Sequence, residues 1–146
     1  MKLDTNNRIM VKMGLDMIRN KKTHMGILAL ITIAKKKYEQ LSTSDIAFGI
    51  APRINAAGRL EDMSIGINCL LTDNLKTAEN LASELNKINQ SRKLLETEMK
   101  EQALDLPNLS QNKFSKVVYD ESFHEGVIGI VASRIKELFY QPTIVF

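Results

Sequence analysis

The sequence predicts a mainly α-helical chain that closes on the opening of an α/β unit. Three observations carry that reading. Apolar residues recur at three-to-four spacing through most of the chain up to Asp105, one such stretch runs for about thirty residues, and the pattern then changes. Beyond it, Lys116-Val117-Val118-Tyr119 and Thr143-Ile144-Val145-Phe146 read as strands on either side of a helical pattern from Gly126 to Phe139, which is the start of a βαβ unit.

The elements follow in order. Asn6 or Asn7 can cap a first helix whose apolar positions Ile9, Met10, Met13, Met17 and Ile18 end near Asn20. A second is expected from about Met25 to Tyr38, with Lys35, Lys36 and Lys37 in its last turn, where cations suit the negative end of the helix dipole. Ser44-Asp45 reads as the start of a short helix through Phe48 that Pro52 should end, because the residue before proline avoids the helical region. Pro52 to Leu60 then reads as neither a good helix nor a strand. A short apolar helix is expected from Ser64 to Leu71, followed by the turn Thr72-Asp73-Asn74. Leu75, Ala78, Leu81, Leu85, Ile88, Leu95 and Met99 define one narrow apolar face, so the long helix continues to about Asp105 as a strut between two packed ends. Pro107 to Asn112 reads as a polar linker.

With 44% hydrophobic and 25% charged residues, the composition is that of a globular protein and excludes disordered or fibrous architectures. Cys69 is the only cysteine and sits in the apolar run Ile67 to Leu71, so a disulfide framework is excluded and a buried thiol is expected. The longest apolar run, Ile27 to Ala34, is interrupted by Thr32 and is too short to span a bilayer; a cytoplasmic chain with no membrane partner is expected. The net charge of +3 hides an asymmetry, since residues 1 to 60 hold 11 Lys/Arg against 4 Asp/Glu while residues 61 to 146 hold 9 against 13. The basic half is the one suited to a polyanion.

Metal-assisted hydrolysis needs clustered carboxylate and imidazole ligands, and the only histidines here are His24 and His124, far apart in sequence. The second histidine of an H-E-x-x-H helix is missing after His124-Glu125, and phosphate-loop, nucleophile-elbow and dinucleotide fingerprints are all absent. No independent metal site and no complete catalytic set is expected.

Two segments exceed what a core requires. In Pro52-Arg53-Ile54-Asn55-Ala56-Ala57-Gly58-Arg59, two guanidinium groups flank small residues that would let a phosphate approach the backbone; alternatively Arg53 and Arg59 pair with Asp45, Glu61 or Asp62. In His124-Glu125-Gly126-Val127-Ile128-Gly129-Ile130-Val131-Ala132-Ser133-Arg134, a strand-to-helix turn presents free amides at a helix N-terminus, with His124 able to hydrogen-bond an anion. The alternative there is a helix packed closely on its sheet through Gly129 and Ala132.

Ala51-Pro52-Arg53-Ile54-Asn55-Ala56-Ala57-Gly58-Arg59-Leu60 and Phe123-His124-Glu125-Gly126-Val127-Ile128-Gly129-Ile130-Val131-Ala132-Ser133-Arg134-Ile135 resemble the G-P-R-x-N-A-A-G-R-L and W-H-x-G-V-x-G-I-x-A-S-R-I motifs of the RecJ exonucleases, members of the DHH phosphoesterase superfamily. The opening near Asn6 and Asn89-Gln90-x-Arg92 strengthen the resemblance, which covers essentially the whole chain; Ala51 and Phe123 depart from the usual Gly and Trp. The family's DHH metal-ligand motif is expected upstream and its later glycine-rich motifs beyond Phe146.

The resemblance implies an α/β parent in which residues 1–73 are the C-terminal helical part of the DHH catalytic domain, 74–106 the connecting helix and 107–146 the start of a truncated DHHA1 domain. It implies 5′-to-3′ hydrolysis of single-stranded DNA to mononucleotides in recombination and repair, with Mn²⁺ or Mg²⁺ in the parent and none bound by this chain alone. Arg53 and Arg59 would hold substrate phosphate, Asn55 would order the loop around them, and His124 would face the site as a contributor to catalysis. By itself the chain is expected to be inactive. Two other readings are a DHH-family phosphodiesterase acting on oligonucleotides or cyclic dinucleotides, and a non-enzymatic helical interaction module.

Overall fold

A computed structural model describes residues 3–106 and 114–146. The chain divides into two compact units, Met1–Asn89 and Gln90–Phe146. The expected linker from Pro107 to Asn112 lies outside the described residues.

In the first unit, α1 (Thr5–Arg19) is capped by Asp4 rather than by either asparagine: its carboxylate accepts from the Asn7 backbone N–H at 2.8 Å. α2 (Met25–Ile33) stops well before Tyr38. Lys35 adopts a left-handed conformation, and the amides of Lys35 and Lys36 turn back onto the carbonyls of Thr32 and Ile31. That closure satisfies the last carbonyls of the helix. The three lysines therefore leave the helix rather than occupying its final turn, and a 3₁₀ turn (Tyr38–Gln40) follows.

The next stretch corrects two expectations. The cap is Ser42, not Ser44, and it forms a reciprocal box with Asp45 that opens α3 (Thr43–Asp45). Pro52 does not end the helical path. A π-helical stretch, Ile46–Ile50, intervenes, in which the Ala51 N–H reaches the Ile46 carbonyl five residues back, and Pro52 sits in the first turn of α4 (Ala51–Leu60). A proline costs nothing in hydrogen bonding at a helix start, and the widened turn before it relieves the ring's clash with the preceding carbonyl. The Pro52–Leu60 segment is thus a helix, held by tertiary packing despite its poor local propensity.

Asp45 also accepts from Lys36 Nζ at 2.8 Å. The Lys36 ammonium, with the Ser42 hydroxyl and amide, holds its carboxyl at about 2.

α5 (Ser64–Leu71) has the expected bounds, and α6 (Leu75–Asp105) is one unbroken helix, begun by Asn74 accepting from the Thr77 amide. The core of the first unit gathers Leu30 and Ile31 from α2, Leu41, Ile50, Ala57 from α4, Cys69 from α5, and Ala78, Ala82 and Leu85 from α6. Cys69 is fully buried, as its apolar surroundings predict, and burial pushes its thiol pKa up.

α2 and α5 meet backbone to backbone. A Cβ on Gly26 would lie 1.9 Å from the Cys69 carbonyl oxygen, so only glycine fits. α4 and α5 meet less closely and through side chains, with Gly66 against Ile54 and Gly58 against Met63, the cap of α5.

In the second unit, β1 (Lys116–Val118) and β2 (Thr143–Val145) pair in parallel, with Val117 opposite Ile144. α7 (Glu125–Phe139) crosses between them and buries Val127, Val131 and Ile135. From the second half of α6, Met99 and Ala103 are buried as well. The expected βαβ unit is present. Among the described residues, no helix is long and apolar enough to cross a membrane.

Gly26→Ala is expected to destabilise the chain by about 1–3 kcal/mol or more, because the added methyl forces two helix backbones apart. Gly14→Ala, where an added Cβ meets nothing within 4 Å in the middle of α1, should stabilise by roughly 0.5–1 kcal/mol through helix propensity. Thermal denaturation of both variants checks the pair; a neutral Gly26→Ala would contradict the close approach.

Candidate phosphate-binding surface

The first candidate segment is built on α4. Ala56 and Ala57 are fully buried, so the small residues are packing surface, and this fixes which way the polar ones face. Asn55 and Arg59, four residues apart, share an exposed face. Arg53 lies on another side of the helix and is half-buried. The two arginines therefore do not share one face of the helix, and Asn55 orders no loop, since the segment is helical.

Arg53 is held by neutral groups. Its Nε donates to Asn86 Oδ1 on α6 at 2.9 Å, and its Nη1 donates to the Gly49 carbonyl at the junction of the π-helical stretch and α4. The pairing with Asp45 weighed from sequence is not made, because Asp45 is engaged by Lys36 and Ser42. Asp62, a second of the carboxylates weighed, accepts from the Ser64 amide. Burial draws the pKa of Arg53 below the ordinary arginine value. A guanidinium in this setting keeps its charge yet has lost part of its water without gaining a counter-ion among the described residues. That combination favours an incoming anion.

The second candidate segment is built on the N-terminus of α7. His124 is its cap: Nδ1 accepts from the Gly126 amide at 3.0 Å. An accepting Nδ1 carries no proton, so the ring presents Nε2–H as its donor. Gly129 is exposed, and a Cβ there would meet nothing within 4 Å. Close packing through Gly129 is thus not what the helix uses; Val127, Val131 and Ile135 pack it instead. Arg134 belongs to the frame as well. Its Nε reaches Glu96 Oε1 at 2.9 Å, its Nη1 reaches Glu137 at 3.2 Å, and the other Glu96 oxygen accepts from Arg92 Nη1 at 2.7 Å.

Glu96, Asn86 and Gly49 escaped the reading from sequence, as did the pairing of Arg134 with Glu96. The Arg92–Glu96 spacing of four on a helix was a usable signal. No local signal pairs Asn86 with Arg53, since the contact joins elements 33 residues apart. Among the described residues, no group of three or more His, Cys, Asp or Glu side chains could hold a metal ion.

No family model matches the chain. Curated relatives do match nearly all of it. The single-stranded-DNA-specific exonuclease RecJ of Salmonella typhimurium is 46% identical over 99% of the chain, and that of Escherichia coli is 44% identical over the same share. The chain spans 26% of the length of each relative. Among solved structures, exonuclease RecJ bound to manganese superposes with a TM-score of 0.83 at 36% identity, covering 95% of this chain and 34% of that one. RecJ from Thermus thermophilus in complex with Mg²⁺ gives 0.82 at 35% identity, covering 95% of this chain and 22% of that one.

Glu96→Ala is expected to destabilise the second unit by about 1–2 kcal/mol, because it removes the acceptor shared by Arg92 and Arg134 in a largely buried position. Arg134→Ala should cost less, since its side chain is 50% exposed. Chemical denaturation of each single variant and of the double variant measures the coupling, and additive losses would refute a shared node.

Proposed function

We propose, from the premise that the chain belongs to the RecJ family over nearly its whole length, that it is the part of a RecJ-type exonuclease that lines the path of single-stranded DNA. Arg53 holds a phosphate of the substrate. The observation carrying this is a half-buried guanidinium fixed by two neutral acceptors, Asn86 and Gly49, with no carboxylate on it among the described residues. Such a group is oriented and charged before the ligand arrives, which lowers the entropic cost of forming charge-assisted contacts.

The whole enzyme hydrolyses single-stranded DNA from its 5′ end to mononucleotides, in the cytoplasm, during recombination and repair. Relatives that share nearly all of this chain carry the name of a single-stranded-DNA-specific exonuclease, which favours that reading over a cyclic-dinucleotide phosphodiesterase or a bare interaction module. Residues 1–73 close the catalytic domain, 74–106 connect, and 107–146 open the DHHA1 domain. Arg59, on the exposed face of α4, adds positive charge for further phosphates along the strand. His124 offers Nε2–H to a phosphate oxygen or a bound water from the N-terminus of α7, where the helix dipole also favours an anion.

The related crystal structures hold manganese or magnesium. In the enzyme such an ion would supply the activated water. The described residues of this chain do not provide its ligand cluster, so their part is to bind and orient the strand.

Two outcomes are expected. In the full-length enzyme, Arg53→Ala lowers affinity for single strands or their turnover by about 1–3 kcal/mol, Arg53→Lys recovers part of it, and thermal stability changes little. Unchanged affinity and turnover with a clear fall in melting temperature would sink the phosphate role. The 146-residue chain alone, incubated with Mn²⁺ or Mg²⁺ and single-stranded DNA, releases no nucleotides. Metal-dependent release abolished by His124→Ala would overturn the reading.

A further inference from the structure

We propose that Asn86, on α6, is a positioning residue for the phosphate site: it sets the plane of the Arg53 guanidinium, and the substrate never touches it. The inference rests on the phosphate-binding role of Arg53 and assigns the device that makes that role effective.

The geometry is specific. Of the five N–H groups of a guanidinium, the one on Nε goes to Asn86 Oδ1 at 2.9 Å and one on Nη1 goes to the Gly49 carbonyl. Two fixed bonds at different nitrogens of a planar group define its plane. Both groups of Nη2 and the remaining one of Nη1 stay uncommitted among the described residues, and they are held in a fixed direction. An arginine tethered at Gly49 alone could swing about that single bond.

The two anchors also differ in origin. Gly49 lies four residues before Arg53, so that contact follows from the local helical path and tolerates most side chains. Asn86 lies 33 residues later, and it is brought to Arg53 by the same packing that buries Ala57 on α4 and Ala82 and Leu85 on α6 in one core. The core thereby transmits its rigidity to the cation. Both anchors are uncharged, so the guanidinium is oriented without being neutralised. A carboxylate would orient it equally well and cancel part of the charge meant for phosphate.

The experiment compares Arg53→Ala, Asn86→Ala and Asn86→Asp in the full-length enzyme. The probe is a 5′-phosphorylated single-stranded oligonucleotide, its Kd measured by fluorescence anisotropy in EDTA over a series of salt concentrations, with melting temperatures recorded in parallel. Asn86→Ala is expected to weaken binding about three- to tenfold, less than Arg53→Ala, and to flatten the dependence of log Kd on log salt in the same direction. Asn86→Asp keeps an acceptor for Nε but neutralises part of the guanidinium charge, so it should keep the melting temperature and still bind about three- to tenfold more weakly than the parent. Binding by Asn86→Ala equal to the parent, with Arg53→Ala impaired, overturns the positioning role. So does a lowered melting temperature with Kd and salt slope unchanged, or an Asn86→Asp that binds as tightly as the parent. If Arg53→Ala itself binds normally, the phosphate reading falls whatever Asn86 does.

Discussion

The contact between the backbones of α2 and α5 is the constraint on which the first unit depends. With hydrogen alone on Gly26, the two helices approach until a Cβ would stand 1.9 Å from the Cys69 carbonyl oxygen. That depth of approach brings Cys69 into a cluster with Leu30, Ile31 and the alanines of α6. α4 then packs over α5 through its own small residues, and Arg53 comes to rest beside Asn86. Dense interiors transmit displacement, so a methyl inserted between α2 and α5 would be felt across this whole stack.

Helices that pack by small residues gain little apolar area per residue, and the loss has to be offset by closeness and by polar ties between elements. Each unit shows such ties. In the first, Arg19 of α1 donates from Nε and Nη2 to the Leu41 carbonyl at 3.0 and 2.7 Å, and Lys36 holds Asp45 where the π-helical stretch begins. In the second, Glu96 receives arginines from its own helix and from α7. These bonds join separate elements and fix angles that apolar contact alone leaves soft.

Local pattern reached far in this chain. The bounds of α5 and α6 and the βαβ order were legible because apolar periodicity, the turn at Thr72 to Asn74 and the strand-forming runs all point the same way. What was not legible shows where tertiary forces override local rules. Pro52 read as a stop because the rule for the preceding residue is local, whereas the chain inserts a π-helical stretch that only packing can support. The end of α2 was misplaced because a lysine in the left-handed region is an uncommon C-terminal signal, and nothing in the sequence marks it. In the two candidate segments, Arg53, Asn55, Arg59 and His124 were singled out from motif chemistry, but their directions were not available. Orientation depends on Ala56 and Ala57 being inside, which is a fact about the other helices.

Sorting the two motifs by what each residue does to the fold leaves a remainder, and the remainder has one character. Ile54, Ala56, Ala57 and Gly58 are accounted for by helix packing, as are Val127, Val131 and Ile135; Arg134 is accounted for by Glu96. Packing does not call for the uncommitted edge of the Arg53 guanidinium, the exposed Asn55, the open Gly129, or the donor on His124 left over once its other nitrogen has capped α7. These are hydrogen-bond donors or places without a side chain. A residue selected for stability alone would have filled Gly129 with alanine and given Arg53 a carboxylate, since both changes strengthen a helix or compensate a desolvated charge. Packing within each unit does not explain why these residues take forms that cost stability, and in the first unit that remainder centres on the oriented edge of the Arg53 guanidinium.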